Sequence, residues 1–194
     1  MTGQQLKNSI LQMAVQGKLV PQDPNDEPAS VLLARIRKEK EELIKAGKIK
    51  KEKKPSYIFR GADNLPYEKV GKNEPVCIAD EVPFEIPESW EWVRWGTLSE
   101  SIQYGYNAPA QENGRIKMVR ISDIQDNSVM WETVPYCDIK EEEIDAYLLN
   151  PNDILFARTG GTVGKSYLVQ EVPEEAIYAG YLIRTRYSNQ LCPQ

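Results

Sequence analysis

Two short apolar runs joined by a glycine-rich turn constrain the fold of this chain more than any other segment. The runs are Ile154–Ala157 and Ser166–Val169, and the residues between them read Arg-Thr-Gly-Gly-Thr-Val-Gly-Lys. A Walker phosphate-binding loop begins with glycine at the position that Thr159 occupies here, and it opens a helix instead of a strand. The segment therefore predicts two strands joined by a turn. The polar side chains of this turn are Arg158, Thr159, Thr162 and Lys165.

The composition excludes several classes of protein. The chain contains no histidine, which removes catalytic sites based on imidazole and the usual zinc sites. Cys77, Cys137 and Cys192 are far apart in sequence and odd in number, so we expect reduced thiols in a cytoplasmic protein. No apolar run approaches the roughly 20 residues of a membrane span, and the first residues lack the features of a signal peptide.

The charge of the chain is unevenly distributed around a formal net value of −5. Residues 35–60 contain eleven Lys and Arg residues and four Glu residues, a balance of +7, so the remainder carries −12. A protein that coats nucleic acid through overall basicity is therefore disfavoured, and any nucleic-acid contact is expected to be a local patch. The basic run Lys48–Lys54 has two interpretations, a solvated tail or a phosphate contact.

Two helices are predicted within residues 1–50. Apolar residues recur at helical spacing up to Ala14, and a second helix is expected over Ala29–Ala46. Asp26 or Glu27 is expected to accept from the free N–H groups at its start, Pro28 suits its first turn, and Gly47 is expected to cap its end. Residues 4–46 thus predict a helical hairpin that either docks on a partner protein or packs on its own domain. The apolar positions assigned to docking are Leu6, Ile10, Leu32, Leu33, Ile36 and Leu43.

Residues 51–81 are polar and interrupted by Gly and Pro, and they predict a linker with little regular structure. A second domain is expected over residues 82–194, beginning with an extended segment in which Trp90 and Trp92 share one face of a strand. Short strands and one helix near residues 141–149 follow. The strands are predicted at Ile116–Ile121, Val129–Trp131, Ile154–Ala157, Ser166–Val169, Ala176–Tyr178 and Tyr181–Arg186. The predicted fold class is α+β, with an N-terminal helical hairpin before a curved, mostly antiparallel sheet.

No set of residues forms a convincing catalytic or metal site. Glu141–Asp145 is typical of a solvated helix face, and Asp138–Lys140 lacks the upstream Pro-Asp pair of a nuclease metal site. What remains suits a surface that contacts DNA phosphates or base edges. The candidates for DNA binding are Tyr104, Tyr106, Lys117, Arg120, Arg158, Thr159, Lys165 and Ser166. A structural alternative stays open, since tyrosines are often buried and a glycine-rich turn can serve only to close a hairpin.

Three separate motifs resemble the specificity subunit of type I restriction-modification systems. They are Leu6–Leu11 with Gly17–Ala29, then Val82–Val93, and finally Asp153–Ser166. The match runs nearly end to end, and Tyr181–Arg186 resembles the strand that follows in that family. Gly161 departs from the family pattern, which often has alanine there. We expect this difference to be harmless in a turn.

The resemblance implies a non-catalytic subunit that reads one half of a bipartite DNA target through a target-recognition domain, here residues 82–194. The implied partners are double-stranded DNA and the methyltransferase and restriction subunits; S-adenosylmethionine, ATP and Mg²⁺ would belong to those other subunits. Because the family normally has two recognition domains, this chain is expected to be a truncated N-terminal piece. Its acidity suggests that methyltransferase subunits supply most of the phosphate affinity while this chain discriminates base edges.

Two other functions stay open at this point. One is a nucleotide-binding enzyme that uses Gly160–Ser166, which ATP binding with and without Lys165→Ala would reveal. The other is a protein-interaction module whose active surface is the helical hairpin, which assembly with a partner in the presence and absence of residues 1–50 would reveal.

Overall fold

The structure is a computed structural model that describes residues 2–188 and 191. The chain forms two compact units. One comprises the described residues up to Leu98 together with Ser188 and Leu191, and the other comprises Ser99–Tyr187. The described residues contain four α-helices and several mostly antiparallel sheets, which confirms the α+β fold class. The curvature of the sheet stays a prediction, and so does the assignment of docking to residues 1–50 and of DNA recognition to residues 82–194.

Two helices open the first unit. Helix α1 spans Gly3–Val15 and begins at a reciprocal cap, in which Thr2 and Gln5 exchange backbone-to-side-chain hydrogen bonds of 2.8 and 3.2 Å. Helix α2 spans Ala29–Lys45 and ends before Gly47, whose φ of 70° lies in the left-handed region that favours glycine. The prediction of a helix over residues 29–46 is therefore confirmed.

The start of α2 differs from the prediction. Pro28 is the cap residue, and no side chain accepts a hydrogen bond from the first turn. The Glu27 carboxylate instead accepts from the Arg35 guanidinium at 2.6 Å. The expected cap by Asp26 or Glu27 is thus wrong, because an ion pair further along the helix holds the Glu27 side chain.

The apolar faces of the two helices differ in exposure. Leu33 and Ile36 of α2 are buried, and the other two docking candidates on α2 are half-buried. No residue of α1 is buried, and both Leu6 and Ile10 are exposed. The pairing of the helices as a hairpin stays a prediction.

A three-stranded antiparallel sheet follows the helices. Its strands are β1 Ser56–Arg60, β2 Pro66–Val70 and β3 Val76–Cys77, in the order β1-β2-β3. The prediction that residues 51–81 form a linker with little regular structure is therefore wrong. Cross-strand side-chain contacts stabilise these short strands in spite of their polar composition.

The two faces of this sheet carry different side chains. Tyr57, Phe59 and Tyr67 form a row of stacked rings, with centroid separations of 5.7 and 6.2 Å. On the opposite face the Glu68 carboxylate accepts from Arg94 at 2.5 and 3.0 Å, and the hydrogen bonds from Arg94 are the main reason that its pKa is lowered. The Glu68 face is thus tied to the segment that follows the sheet.

No strand forms in residues 82–94, before the short helix α3, Trp95–Leu98. The expected strand with Trp90 and Trp92 on one face is therefore wrong. The Trp90 indole N–H donates to the Gln22 side chain at 2.9 Å, whereas the Trp92 ring packs on Phe84 with 5.3 Å between centroids. The proline-interrupted backbone lets each indole contact a different part of the first unit.

The second unit consists of short strands and one helix. In chain order its elements are β4 Ser99–Tyr104, β5 Ile116–Val119, β6 Ile124–Gln125, β7 Ser128–Val129, β8 Tyr136–Cys137, α4 Glu141–Tyr147, β9 Ile154–Ala157, β10 Ser166–Leu168, β11 Ala176–Tyr178 and β12 Leu182–Tyr187. Strands β10, β9, β12 and β4 form an antiparallel sheet in that order. Strand β5 pairs in parallel with β11 and antiparallel with β8, and β6 pairs with β7. The helix and five of the six strands predicted after residue 115 are confirmed, with ends shifted by up to two residues. Strand β7 shares only Val129 with the predicted strand Val129–Trp131, because Trp131 begins a 3-10 helix.

Strand β5 is buried on both faces and separates two apolar clusters. Val119 belongs to a cluster with Leu155 and Tyr178, whereas Met118 belongs to a cluster with Ile144. This double burial explains why apolar side chains occupy both faces of the strand, with Lys117 as its one polar residue.

Two further observations concern the state of the cysteines and the length of the helices. Cys77 and Cys137 are free thiols, and burial is the main reason that the pKa of Cys137 is raised. Cys192 lies outside the described residues. Within residues 2–188 and 191, no helix has the length and apolar composition needed to cross a membrane.

Candidate functional site

The glycine-rich turn joins β9 and β10 as a hairpin. The Ala157 N–H donates to the Lys165 carbonyl at 2.9 Å, and the Gly164 N–H donates to the Ala157 carbonyl at 3.0 Å. Gly160 and Gly164 adopt positive φ values of 76° and 85°. The φ of Gly161 is not positive, and a Cβ there would meet no atom within 4 Å. The lysine leads into a strand and not a helix, so the turn lacks the architecture of a Walker loop.

Arg158 and Tyr104, which are far apart in sequence, meet at one end of the four-stranded sheet. The Arg158 guanidinium carbon lies 4.5 Å from the centroid of the Tyr104 ring, a cation–π contact. The ring remains 59% exposed, and the guanidinium N–H groups of Arg158 make no hydrogen bond to any residue that the structure describes. A guanidinium stacked on a ring in this way keeps its N–H donors available to a ligand.

The strand register places Tyr104 and Arg158 on the same face. Tyr104 pairs with Ile183, which also pairs with Phe156, and Arg158 follows two positions after Phe156. Tyr181 lies two positions before Ile183, and its carbonyl accepts from the Arg158 N–H at 3.2 Å. We call the exposed set Tyr104, Arg158 and Tyr181 the tyrosine–arginine surface.

Tyr181 is a residue that the sequence did not single out as a site candidate. It is 37% exposed, and partial burial is the main reason that its pKa is raised. The alternation of side chains along a strand could have indicated its exposure. Leu182 is buried, so Tyr181 and Ile183 on either side of it face the opposite way.

Gly105 separates the two tyrosines predicted for DNA contact. A Cβ on Gly105 would lie 2.3 Å from the carbonyl oxygens of both Tyr178 and Ala179, so only glycine fits this approach. Beyond it the Tyr106 ring is half-buried and packs edge-on against Tyr147, with 5.2 Å between centroids. Desolvation is the main cause of the raised pKa of Tyr106. Tyr106 therefore supports the core instead of joining the tyrosine–arginine surface.

Lys117 and Arg120 are held by internal contacts. The Lys117 ammonium is largely buried, donates to the Trp131 carbonyl at 2.7 Å and pairs with Glu174 at 2.7 Å. The Arg120 guanidinium donates to both carboxylate oxygens of Asp123, at 2.7 and 3.0 Å. Lys117 is thus held by internal partners. Arg120 lies close enough to Tyr181 to act on its pKa, but its guanidinium is tied to Asp123. The residues next to Lys117 and Arg120 in sequence are apolar, and they gave no sign of these partners.

Thr159, Lys165 and Ser166 are exposed, but they do not all face the same way. Ser166 pairs with Phe156 and so shares the face of the tyrosine–arginine surface. It lies on β10, next to the strand that leads into Arg158, and three strand spacings of about 4.8 Å, roughly 14 Å, separate it from Tyr104. Lys165 stands opposite Ala157, and strand alternation directs its side chain to the other face. Thr159 follows directly after the arginine of the surface. The eight predicted residues are thus only partly brought together.

A buried ion network fixes the strand beneath this surface. Asp153 is 2% exposed and accepts from Arg186 at 2.8 and 3.2 Å and from the Asn150 N–H at 2.9 Å. Arg184 is also 2% exposed; it donates to the Leu148 carbonyl at 2.6 Å, and its Nε lies 4.0 Å from Asp153. Burial is the main reason that the pKa of Arg184 is lowered. The network joins β12 to the turn before β9.

Carboxylates elsewhere in the second unit are also partners of cations. Glu141 accepts from Arg115 at 2.9 and 3.0 Å, and hydrogen bonding to Arg115 is the main reason that the pKa of Glu141 is lowered. Across the part of the chain that the structure describes, no three or more Cys, Asp or Glu side chains form a group that could hold a metal ion.

Comparison with known proteins gives two similar sequences, both from Escherichia coli. The chain is 37% identical over 154 residues to the type I restriction enzyme EcoAI specificity subunit, across 78% of this chain and 23% of that protein. It is 35% identical over 189 residues to the type I restriction enzyme EcoEI specificity subunit, across 92% of this chain and 28% of that protein. The chain therefore spans about a quarter of the length of these relatives. No protein-family model matches it.

Proposed function

Since this chain belongs to the family of type I restriction enzyme specificity subunits, we propose that it reads one half of a bipartite DNA target. The second unit is the reader. It works without catalysis of its own, in a complex with methyltransferase and restriction subunits. S-adenosylmethionine, ATP and Mg²⁺ act in those other subunits.

The tyrosine–arginine surface is the observation that carries this proposal. Arg158 is stacked on Tyr104, so its side chain is oriented before a ligand arrives, and its N–H donors remain available. An oriented guanidinium suits bidentate hydrogen bonding to a guanine edge or to a phosphate. The two exposed tyrosines add flat apolar area beside it.

Arg158→Ala is expected to weaken discrimination between the target and other sequences by about 1–3 kcal/mol, the value of one good bidentate contact to a base. The measurement is a genome-wide map of methylated sites in cells that carry the intact system with either form of the subunit. We expect modification of the normal target to fall or its sequence to relax at one position.

Arg115→Ala is the matched control for this experiment. Arg115 is also an exposed arginine of the second unit, but its guanidinium is paired with Glu141 away from the tyrosine–arginine surface. Equal methylation patterns for the native subunit and both variants, with the subunits present at equal levels, would show that Arg158 reads no base.

We further propose that helix α1 docks on a methyltransferase subunit. Leu6 and Ile10 lie one helical turn apart and are exposed, as is Met13 on the same side of the helix. A helix with this much exposed apolar area is typical of an interface. Leu33 and Ile36, predicted for the same role, are already buried and serve the packing of α2.

Leu6→Ser combined with Ile10→Ser is expected to reduce co-purification with the cognate methyltransferase subunit at least tenfold, since two buried leucine-sized contacts contribute about 3 kcal/mol or more. Gln4→Ser with Asn8→Ser, at the same spacing on the polar side of α1, is the control. Full co-purification of the Leu6 and Ile10 variant would show that α1 is not part of the interface.

A further inference from the structure

The second unit is poor in cations that are free to meet a phosphate backbone. Residues 99–187 contain eight Lys and Arg residues and fourteen Asp and Glu residues. Five of those eight cations lie within 4.0 Å of a carboxylate inside the unit; they are Arg115, Lys117, Arg120, Arg184 and Arg186. A unit with this balance repels DNA at long range, so another surface must supply the attraction.

The first unit gathers lysines from separate parts of the sequence at one end of its sheet. The Gly71 N–H donates to the Pro55 carbonyl at 2.8 Å, directly beyond the paired ends of β1 and β2. A Cβ on Gly71 would lie 3.8 Å from the Lys54 Cα, so Lys54 runs beside the residues that precede and follow that glycine. Those residues include Lys69 and Lys72. We call Lys54, Lys69 and Lys72 the lysine patch.

More positive charge borders the lysine patch. Lys69 pairs with Tyr57 in the β1–β2 register, and the Arg37 guanidinium carbon lies 4.7 Å from the Tyr57 ring centroid. Lys50, Lys51 and Lys53 lead directly into the patch. Residues 45–72 contain nine Lys and Arg residues and only three acidic residues.

The three acidic residues are occupied elsewhere. Glu68 lies on the opposite face of the sheet, where Arg94 and Ser56 donate to it. Asp63 lies at the other end of the β1–β2 hairpin and accepts from Tyr67 at 2.8 Å, and Glu52 lies 4.0 Å from the Lys40 ammonium. Within the described residues, no lysine of the patch has a carboxylate within 4.0 Å. Among the residues that the structure describes, therefore, no ion pair neutralises the positive charge of the patch.

We propose that the lysine patch contacts the phosphate backbone of duplex DNA without reading its sequence. Exposed lysines without carboxylate partners act as point charges, which suit phosphates and carry little information about bases. Duplex DNA carries one negative charge per about 1.7 Å of its axis, so several phosphates lie close enough together to meet the three clustered lysines at once. This inference rests on the proposed DNA-reading function, and it assigns part of the phosphate affinity to this chain instead of to its partner subunits.

The test uses the intact complex of the specificity subunit with its methyltransferase partner. Lys54, Lys69 and Lys72 are all changed to Gln, and binding to target and unrelated duplexes is measured over a range of salt concentrations. We expect the slope of log K against log salt to fall by about 2–3, at about 0.9 per lost phosphate contact. Affinity is expected to fall by the same factor, about tenfold or more, for both duplexes.

A variant with the same loss of charge provides the control. Lys18, Lys38 and Lys140, all exposed and outside the patch, are changed to Gln together. An equal slope change in the control would overturn the proposal, because the effect would then reflect net charge alone. Loss of methyltransferase binding in the patch variant would overturn it too, since the patch would then face an acidic protein surface.

The outcome for the proposed function is read separately. If the unmodified complex fails to prefer its target, DNA reading by this family member fails, whatever the salt slopes are. If the unmodified complex prefers its target and the patch variant keeps the native salt slope with unchanged far-ultraviolet circular dichroism, only the phosphate contact fails.

Discussion

Replacing Asp153 by alanine is expected to lower the free energy of unfolding of the second unit by about 3–5 kcal/mol. The change removes the only carboxylate described within 4.0 Å of both Arg184 and Arg186. It leaves the Arg184 guanidinium, 2% exposed, without a counter-charge. It also frees the Asn150 N–H, which closes the turn before β9.

Hydrogen exchange of the backbone amides in β9 and β12 is the measurement, because it reports the stability of this unit separately from that of the first. Asp153→Asn keeps the shape and an acceptor oxygen but not the charge, and we expect a smaller loss. Asp145→Ala, an exposed carboxylate on α4, is the control and should change exchange little. Equal protection in the Asp153→Ala and Asp145→Ala variants would contradict the assignment of the ion network.

Replacing Gly105 by alanine is expected to lower the free energy of unfolding by about 3 kcal/mol, at the upper end of the cost of overpacking. The added methyl group would lie 2.3 Å from two backbone carbonyl oxygens, of Tyr178 and Ala179. Backbone atoms in a buried turn cannot move aside as a flexible side chain can. Relief requires β4 to shift away from the turn between β11 and β12, which also displaces Tyr104 from Arg158.

Gly161→Ala is the matched control, because a Cβ there meets no atom within 4 Å and the backbone does not adopt a positive φ. Urea unfolding followed by Trp131 fluorescence, the only tryptophan of the second unit, compares the two variants. Similar midpoints for Gly105→Ala and Gly161→Ala would be inconsistent with the close approach. The control also tests the expectation that alanine is harmless at position 161.

The regular elements with clear apolar periodicity were predictable from the sequence. Helix α2 has a periodic apolar stripe and strand β9 a continuous apolar run, and their bounds agree with the prediction to within one residue. The hairpin turn at Gly160–Gly164 was predictable because its glycines do not have the spacing of a Walker loop and because apolar strand segments flank it. Such signals are local, so a single pass along the chain can find them.

The elements and partners that the sequence did not reveal depend on contacts between distant residues. Strands β1 and β2 are only five residues each and are surrounded by lysine, glycine and proline, so polarity concealed their alternation. The internal roles of Lys117 and Arg120 depend on a loop carbonyl and on a folded 3-10 turn. A cation in a sequence gives no sign of whether a carboxylate will meet it, and this is why part of the predicted site moved into the interior.

The pairing of Ser99 with Tyr187 at the ends of β4 and β12 has a consequence for the history of such chains. The second unit starts and finishes on neighbouring strands, so its entry and exit points coincide. A segment closed in this way behaves as a cassette, which recombination can remove or exchange while the flanking polypeptide keeps its path. Under the proposed function, replacing residues 99–187 as a whole would supply a new specificity without gradual change of single side chains.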